Sequence, residues 1–146
     1  MPWIEANGAS LRYALSGAGK ETLVLVHEAG GCLESYEDAL PGLEEEFRVL
    51  RYDQRGFGFS EKVRELSFET VVADLAGLLD ALQITAPVHV AGCAMGADFS
   101  VGFAARHPGG LRSSPWRAPT STAMPHAAGQ AWSVLPWSSA KGYAPP

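Results

Sequence analysis

The stretch "VHVAGCAMGADFS", residues 88–100, constrains this chain more than any other. An apolar run meets a Gly-x-x-x-Gly turn, and an apolar segment rich in small residues follows. The pattern predicts a strand that turns directly into a helix. Gly92 and Gly96 carry no side chain to hold the two apart, so strand and helix can pack closely. Such an elbow holds its central residue at strained backbone angles and points its side chain into a site. In hydrolases built this way the central residue is the nucleophile. Here it is Ala94, and a methyl group cannot attack a carbonyl. The backbone N–H after it, at Met95, points where an oxyanion would develop, and the helix N-terminus adds a favourable dipole. A tight strand-to-helix turn without chemistry is the other reading of the same residues.

The elements before the elbow set its context. Asn7-Gly8 between two short runs predicts a hairpin, since both residues tolerate positive φ. "TLVLVH" (22–27) is continuously apolar, as in a strand buried on both faces. The segment after it starts with glycines and becomes helical, with Pro41 interrupting it. "RVLRYD" (48–53) and "PVHVAG" (87–92) are two more core strands. Between them, residues 67–84 place Phe68, Val71, Val72, Leu75, Leu78, Leu79 and Leu82 on one helical face, with Ser67 as N-cap. A second helix is expected over 95–108. Strands alternating with helices give an α/β fold with a mainly parallel sheet and flanking helices. Ligands in such sheets sit outside the carboxyl ends of the strands, so loops 28–35, 53–61 and 92–96 become the candidate site.

Three motifs fall on those loops in order: "LVLVHEAGG", "YDQRGFGFSEK" and the elbow. With them, residues 1–110 resemble the N-terminal half of the α/β-hydrolase superfamily, and look closest to the small esterase and lactonase branch that includes 3-oxoadipate enol-lactonases. The resemblance implies a truncated α/β-hydrolase fold and, in the parent form, hydrolysis of an ester or lactone. It implies an oxyanion hole from the N–H groups of Ala29 and Met95. It makes His27 a structural residue that orders the oxyanion loop, and makes Asp53 and Arg55 an Asp–Arg pair under the site. Glu28 departs from the commoner glycine; it either lines the pocket or is a solvated loop carboxylate, and the second reading is favoured. Ser60 ends its loop, Asp98 serves the helix dipole, and His107 ends the helix. Cys93 offers a thiol as substitute nucleophile. Its geometry argues against it, because the residue before the apex turns toward the packed sheet, where cysteines are usually inert. The acid and histidine of such a triad come from later strands.

Composition divides the chain at the end of these motifs. Residues 1–110 hold all 16 acidic residues and 8 of the 11 basic ones, whereas 111–146 hold six of the ten prolines and three of the four tryptophans. Proline and serine density there excludes a central strand, although the next sheet member is due. If Ser113 and Ser114 are TCN codons, reading two bases later turns "RSSPW" into an apolar-apolar-small-apolar run. Residues 111–146 are therefore expected to be an irregular tail, either frameshifted or disordered. A sheet that stopped at residues 87–92 would also expose an unpaired apolar edge. His126 lies in the tail and is assigned no role.

The remaining expectations concern function class. A net charge of −5 argues against nucleic acid as partner, and no apolar stretch reaches transmembrane length. Two cysteines, Cys32 and Cys93, make no disulfide framework and point to the cytoplasm. The histidines lack ligand spacing, so neither metal nor cofactor is implied. The expected partner is a small-molecule ester or lactone; no oligomeric state is assigned. With Ala94 at the nucleophile position the chain is expected to be inactive. The alternatives are a non-catalytic ligand-binding relative and a non-functional truncated product.

Overall fold

A computed structural model describes residues 1–110 and the backbone of one further two-residue strand. Strands β1 (Trp3–Ala6) and β2 (Ala9–Ser16) form the expected hairpin, with Asn7 and Gly8 at φ 48° and 73°. Then come β3 (Glu21–Val26), β4 (Phe47–Tyr52) and β5 (His89–Cys93), with β6 (Trp132–Ser133) last. The helices are α1 (Leu40–Glu44), α2 (Phe68–Ala81) and α3 (Met95–Arg106). A 3-10 helix, Leu33–Ala39, runs into α1, and Pro41 lies in the first turn of α1. Proline is tolerated there because that N–H needs no helical acceptor, so it opens a helix rather than breaking one.

The strand order is β1-β2-β4-β3-β5-β6. Parallel pairing is confined to the centre: β3 lies between β4 and β5, in register from Leu23↔Val49 to Val26↔Gly92. The flanks are antiparallel, β2 on β4 and β6 on β5, so the sheet is mixed with a parallel core. The outer edge of β5 is not bare. Gly92 and Cys93 pair with β6, and Val88 N donates to Gly110 O at 2.9 Å. A short antiparallel strand tolerates the tail's composition because it asks for only two paired residues.

Alternation along β3 explains its continuous apolar run. Val24 and Val26 face α2 and α3, packing with Leu50, Tyr52, Val71, Leu75, Leu78, Phe99 and Phe103. Leu23 and Leu25 face the opposite side with Tyr36, Phe47 and Val49. Both faces are covered, so every position must be apolar. Helix α2 starts where Ser67 Oγ accepts from Thr70 N at 3.1 Å. Its predicted face is buried except at the end residues: Leu82 is half-buried, and Phe68 stays 39% exposed. Phe68 sits in the first turn, with its ring over Gly102 of α3, where a Cβ would come within 2.6 Å of it, and with the Arg106 guanidinium 5.6 Å from the ring centroid.

One buried ion pair ties the strand-end loop to this layer. Arg55 Nε and Nη2 donate to Asp74 of α2 at 2.8 and 2.6 Å, and Asn7 Nδ2 donates to the same carboxylate at 2.8 Å. Asp74 is fully buried, and its hydrogen bonds push the Arg55 guanidinium up from its ordinary value despite burial. Removing one partner of such a pair strands a buried charge. Arg55→Met should therefore lower unfolding stability by about 3–5 kcal/mol, against about 1 kcal/mol for loss of the cap in Ser67→Ala. Urea denaturation checks the ranking.

Candidate active site

The carboxyl ends of β3, β4 and β5 carry the three loops singled out from sequence. At the elbow, Ala94 is exposed, with φ 47° and ψ −122°, outside the regions an L-residue favours. The glycines around it make this possible. A Cβ on Gly92 would overlap the carbonyl of Gly96, and a Cβ on Gly96 would overlap the carbonyls of Val26 and His27. The first turn of α3 thus rests directly on the backbone of β3. Met95 opens α3, so its N–H is among the four that have no acceptor within the helix; the first bond runs from Ala97 N to Ala94 O at 2.8 Å. Held geometry, a free apex side chain and helix N–H groups converge on residue 94. Such a constellation can polarise a carbonyl, and Ala94 supplies no atom to attack it.

The loop after β3 is organised by His27, which is fully buried. Its Nε2 accepts from Gln54 N at 2.9 Å, and its Nδ1 lies 2.7 Å from the Glu28 carbonyl. An acceptor role at Nε2 puts the proton on Nδ1, so the ring is neutral. Burial drives its pKa down, against the opposing pull of the Glu28 hydrogen bond and the Asp53 charge. Gln54 Nε2 closes the ring of contacts on His27 O at 2.6 Å. Ala29 follows on an exposed turn that Gly30 closes at φ 77°. Glu28 is half-buried and accepts from Ser35 Oγ at 3.1 Å, so it is tied to the loop and not simply solvated.

Asp53 is fully buried and acts as a hub. Oδ1 accepts from Leu33 N at 2.7 Å, and Oδ2 from Phe59 N at 2.7 Å and from Arg12 Nη1 at 3.2 Å. Ser60 Oγ donates to Asp53 O at 2.6 Å, closing the loop as expected. The expected Asp53–Arg55 pair does not form. Two residues apart on a turning loop, the side chains diverge: Asp53 pairs with Arg12, and Arg55 with Asp74. Arg12 also binds Glu34, and these carboxylates push its pKa up although burial opposes them. Arg12, Gln54 and Asp74 escaped sequence reasoning. The available signal was an arginine within the alternating apolar run of β2. Cys32, Glu34 and Asp53 bring donor atoms within 4.8 Å of one another, but the Arg12 guanidinium already occupies both carboxylates.

Cys93 is 2% exposed and faces Tyr36, whose hydroxyl donates to Val26 O at 2.6 Å. Burial and the Glu28 charge push the thiol's pKa up, away from a reactive thiolate. Asp98 is exposed in the first turn of α3, and His107 stacks on Phe103 at 4.8 Å. An open, mainly apolar cleft of about 670 Å³ runs from Met95 along α3 to Leu66 and Phe68. His126 lies outside the described residues.

A mixed sheet with a parallel centre and a strained strand-to-helix elbow at the third parallel strand defines an α/β-hydrolase scaffold. The alpha/beta hydrolase fold family profile matches residues 21–144, and the chain belongs to that family. It is 36% identical over 101 residues to 2-hydroxy-6-oxo-2,4-heptadienoate hydrolase of Pseudomonas putida, covering 66% of this chain and 36% of that protein. It is 41% identical over 111 residues to the dihydrolipoyllysine-residue acetyltransferase component of an acetoin cleaving system, also from Pseudomonas putida, covering 71% and 28%. Among solved structures, the enol-lactonase of Burkholderia xenovorans matches at TM-score 0.73 and 34% identity, over 76% of this chain and 44% of the other. A meta-cleavage product hydrolase of Pseudomonas fluorescens, a serine-to-alanine variant complexed with acetates, matches at TM-score 0.71 and 26% identity, over 76% and 42%. The chain thus spans less than half the length of these relatives.

Two outcomes follow from the geometry. His27 is held neutral with a lowered pKa, so the unfolded chain binds the proton first. Stability should be complete above the ordinary histidine value of 6.5 and fall as pH drops below it toward the folded value. His27→Gln should flatten that part of a urea-midpoint-versus-pH profile. Iodoacetamide should alkylate half-buried Cys32 before Cys93, and Cys93 only at the unfolding rate, as peptide mass mapping would show.

Proposed function

We propose that this chain carries the nucleophile-side part of an ester- or lactone-hydrolysing α/β-hydrolase core whose nucleophile position is silent. It holds a carbonyl group at the elbow without forming a covalent intermediate. The observation that carries this is Ala94, exposed at the apex with φ 47° and ψ −122°. The strained turn is kept, and the reactive atom is not there. Met95 N–H and Ala29 N–H are the proposed oxyanion donors. His27 and Asp53 support them by fixing the loops after β3 and β4, Arg55 anchors the second loop to α2, and Gly92 and Gly96 set the elbow. The apolar cleft beside Met95 would receive the alkyl part of a ligand.

The named relatives support the chemistry. An enol-lactonase and a dienoate hydrolase both cleave carbonyl compounds, and the serine-to-alanine relative was obtained with acetates bound. A cytoplasmic setting belongs to this reading; among the described residues, no helix is long and apolar enough to cross a membrane. Neither nucleic acid nor a membrane surface enters this reading.

An activated acetate ester tests it. The native chain should hydrolyse the ester no faster than buffer and show no acyl adduct by intact mass, whereas Ala94→Cys, whose thiolate attacks without a partner base, should acquire an adduct at residue 94. Turnover by the native chain would contradict the silent-nucleophile reading. If Cys93→Ala removed that turnover, the thiol would take the role.

A further inference from the structure

The hydrolytic reading leaves the Glu28 carboxylate unused; among the described residues, Asp98, exposed in the first turn of α3, is a second carboxylate beside the elbow. We propose that Glu28 determines specificity here: it sets the site against carboxylate ligands and in favour of neutral carbonyl compounds such as esters, lactones and amides. The inference rests on the reading of residues 94 and 95 as a carbonyl-binding elbow.

Position comes first. The parallel register between β3 and β5 runs from Leu23↔His89 to Val26↔Gly92. That register ends there, and Glu28 and Ala94 each lie two residues beyond its last pair. Glu28 also directly precedes Ala29, the second proposed N–H donor. Its side chain does not swing out to bulk water. Oε1 accepts from Ser35 Oγ at 3.1 Å, and a Cβ on Gly31 would come within 2.6 Å of the same oxygen. The carboxylate is thus folded over the start of the 3-10 helix, on the side where Cys93 and Tyr36 lie. Burial raises the pKa of both, and the Glu28 charge adds to the rise.

Among the described residues, no cation forms an ion pair with Glu28: Arg12 is taken by Glu34 and Asp53, Arg55 by Asp74, and Arg51 gives its Nη1 to the Leu33 carbonyl. The neutral His27 ring adds no positive charge on the other side. A ligand carboxylate at the elbow would therefore meet a fixed negative charge beside its N–H donors. A neutral carbonyl of the same shape meets the same donors without the repulsion. For two unit charges a few ångströms apart and screened as in bulk water, the penalty is on the order of tenfold in affinity.

Acetate and acetamide have nearly the same shape and differ in charge, so they are the probes. Amide chemical shifts of Met95 and Ala29 in the isotopically labelled full chain report binding. The native chain should bind acetamide more tightly than acetate. Glu28→Gln should tighten acetate about tenfold and leave acetamide within about twofold. Raising ionic strength should also narrow the gap in the native chain, which needs no variant. A variant that shifts both probes alike or neither, or a gap insensitive to salt, overturns the role of Glu28 and leaves the site standing. If neither probe moves the two amides in either protein, the site and this inference fall together.

Discussion

The site depends on one close contact, the backbone of α3 resting on the backbone of β3. Gly96 lies so near the Val26 and His27 carbonyls that no side chain fits between them, and Gly92 stands in the same relation to Gly96. With helix and strand this close, the chain must reverse direction within a single residue. Ala94 takes that reversal at positive φ. Everything proposed for the site follows from the reversal: the outward apex, the N–H of Met95, and the dipole end of α3 aimed at the same point.

Around this contact, polar groups rather than apolar ones set the loops. Asp53 gathers the amides of Leu33 and Phe59 and the guanidinium of Arg12, joining three segments at one buried carboxylate. His27 and Gln54 cross-link the ends of β3 and β4 through ring nitrogen and backbone. Such bonds are individually modest, but each buried group would be costly to leave unpaired. The loops are therefore rigid where they meet the elbow, whatever residue stands at its apex.

What could be read from the sequence was local. Asn7-Gly8 fixes a hairpin, Ser67 a helix start, and Gly92 with Gly96 the elbow, because in each case the residue type acts on its own backbone. Pairing partners could not be read this way. Asp53 and Arg55 lie two apart and suggest a pair, yet each finds its partner on a distant element, Arg12 on β2 and Asp74 on α2. Only the folded arrangement brings those elements together. Glu28 shows the same limit: loop composition favours a solvated carboxylate, whereas Ser35 and the bend at Gly31 fold it over the start of the 3-10 helix.

An elbow kept under strain without its nucleophile makes a thermodynamic claim that one substitution can test. Positive φ at a non-glycine residue costs about 1–3 kcal/mol, whereas glycine elsewhere usually costs about 0.5–1 kcal/mol in chain entropy. Ala94→Gly relieves the first and incurs the second. Equilibrium urea unfolding of the two proteins should show the glycine variant to be as stable as the native chain or more so, by up to about 2 kcal/mol. A clear loss of stability would mean that residue 94 is unstrained and that the elbow is not held as described.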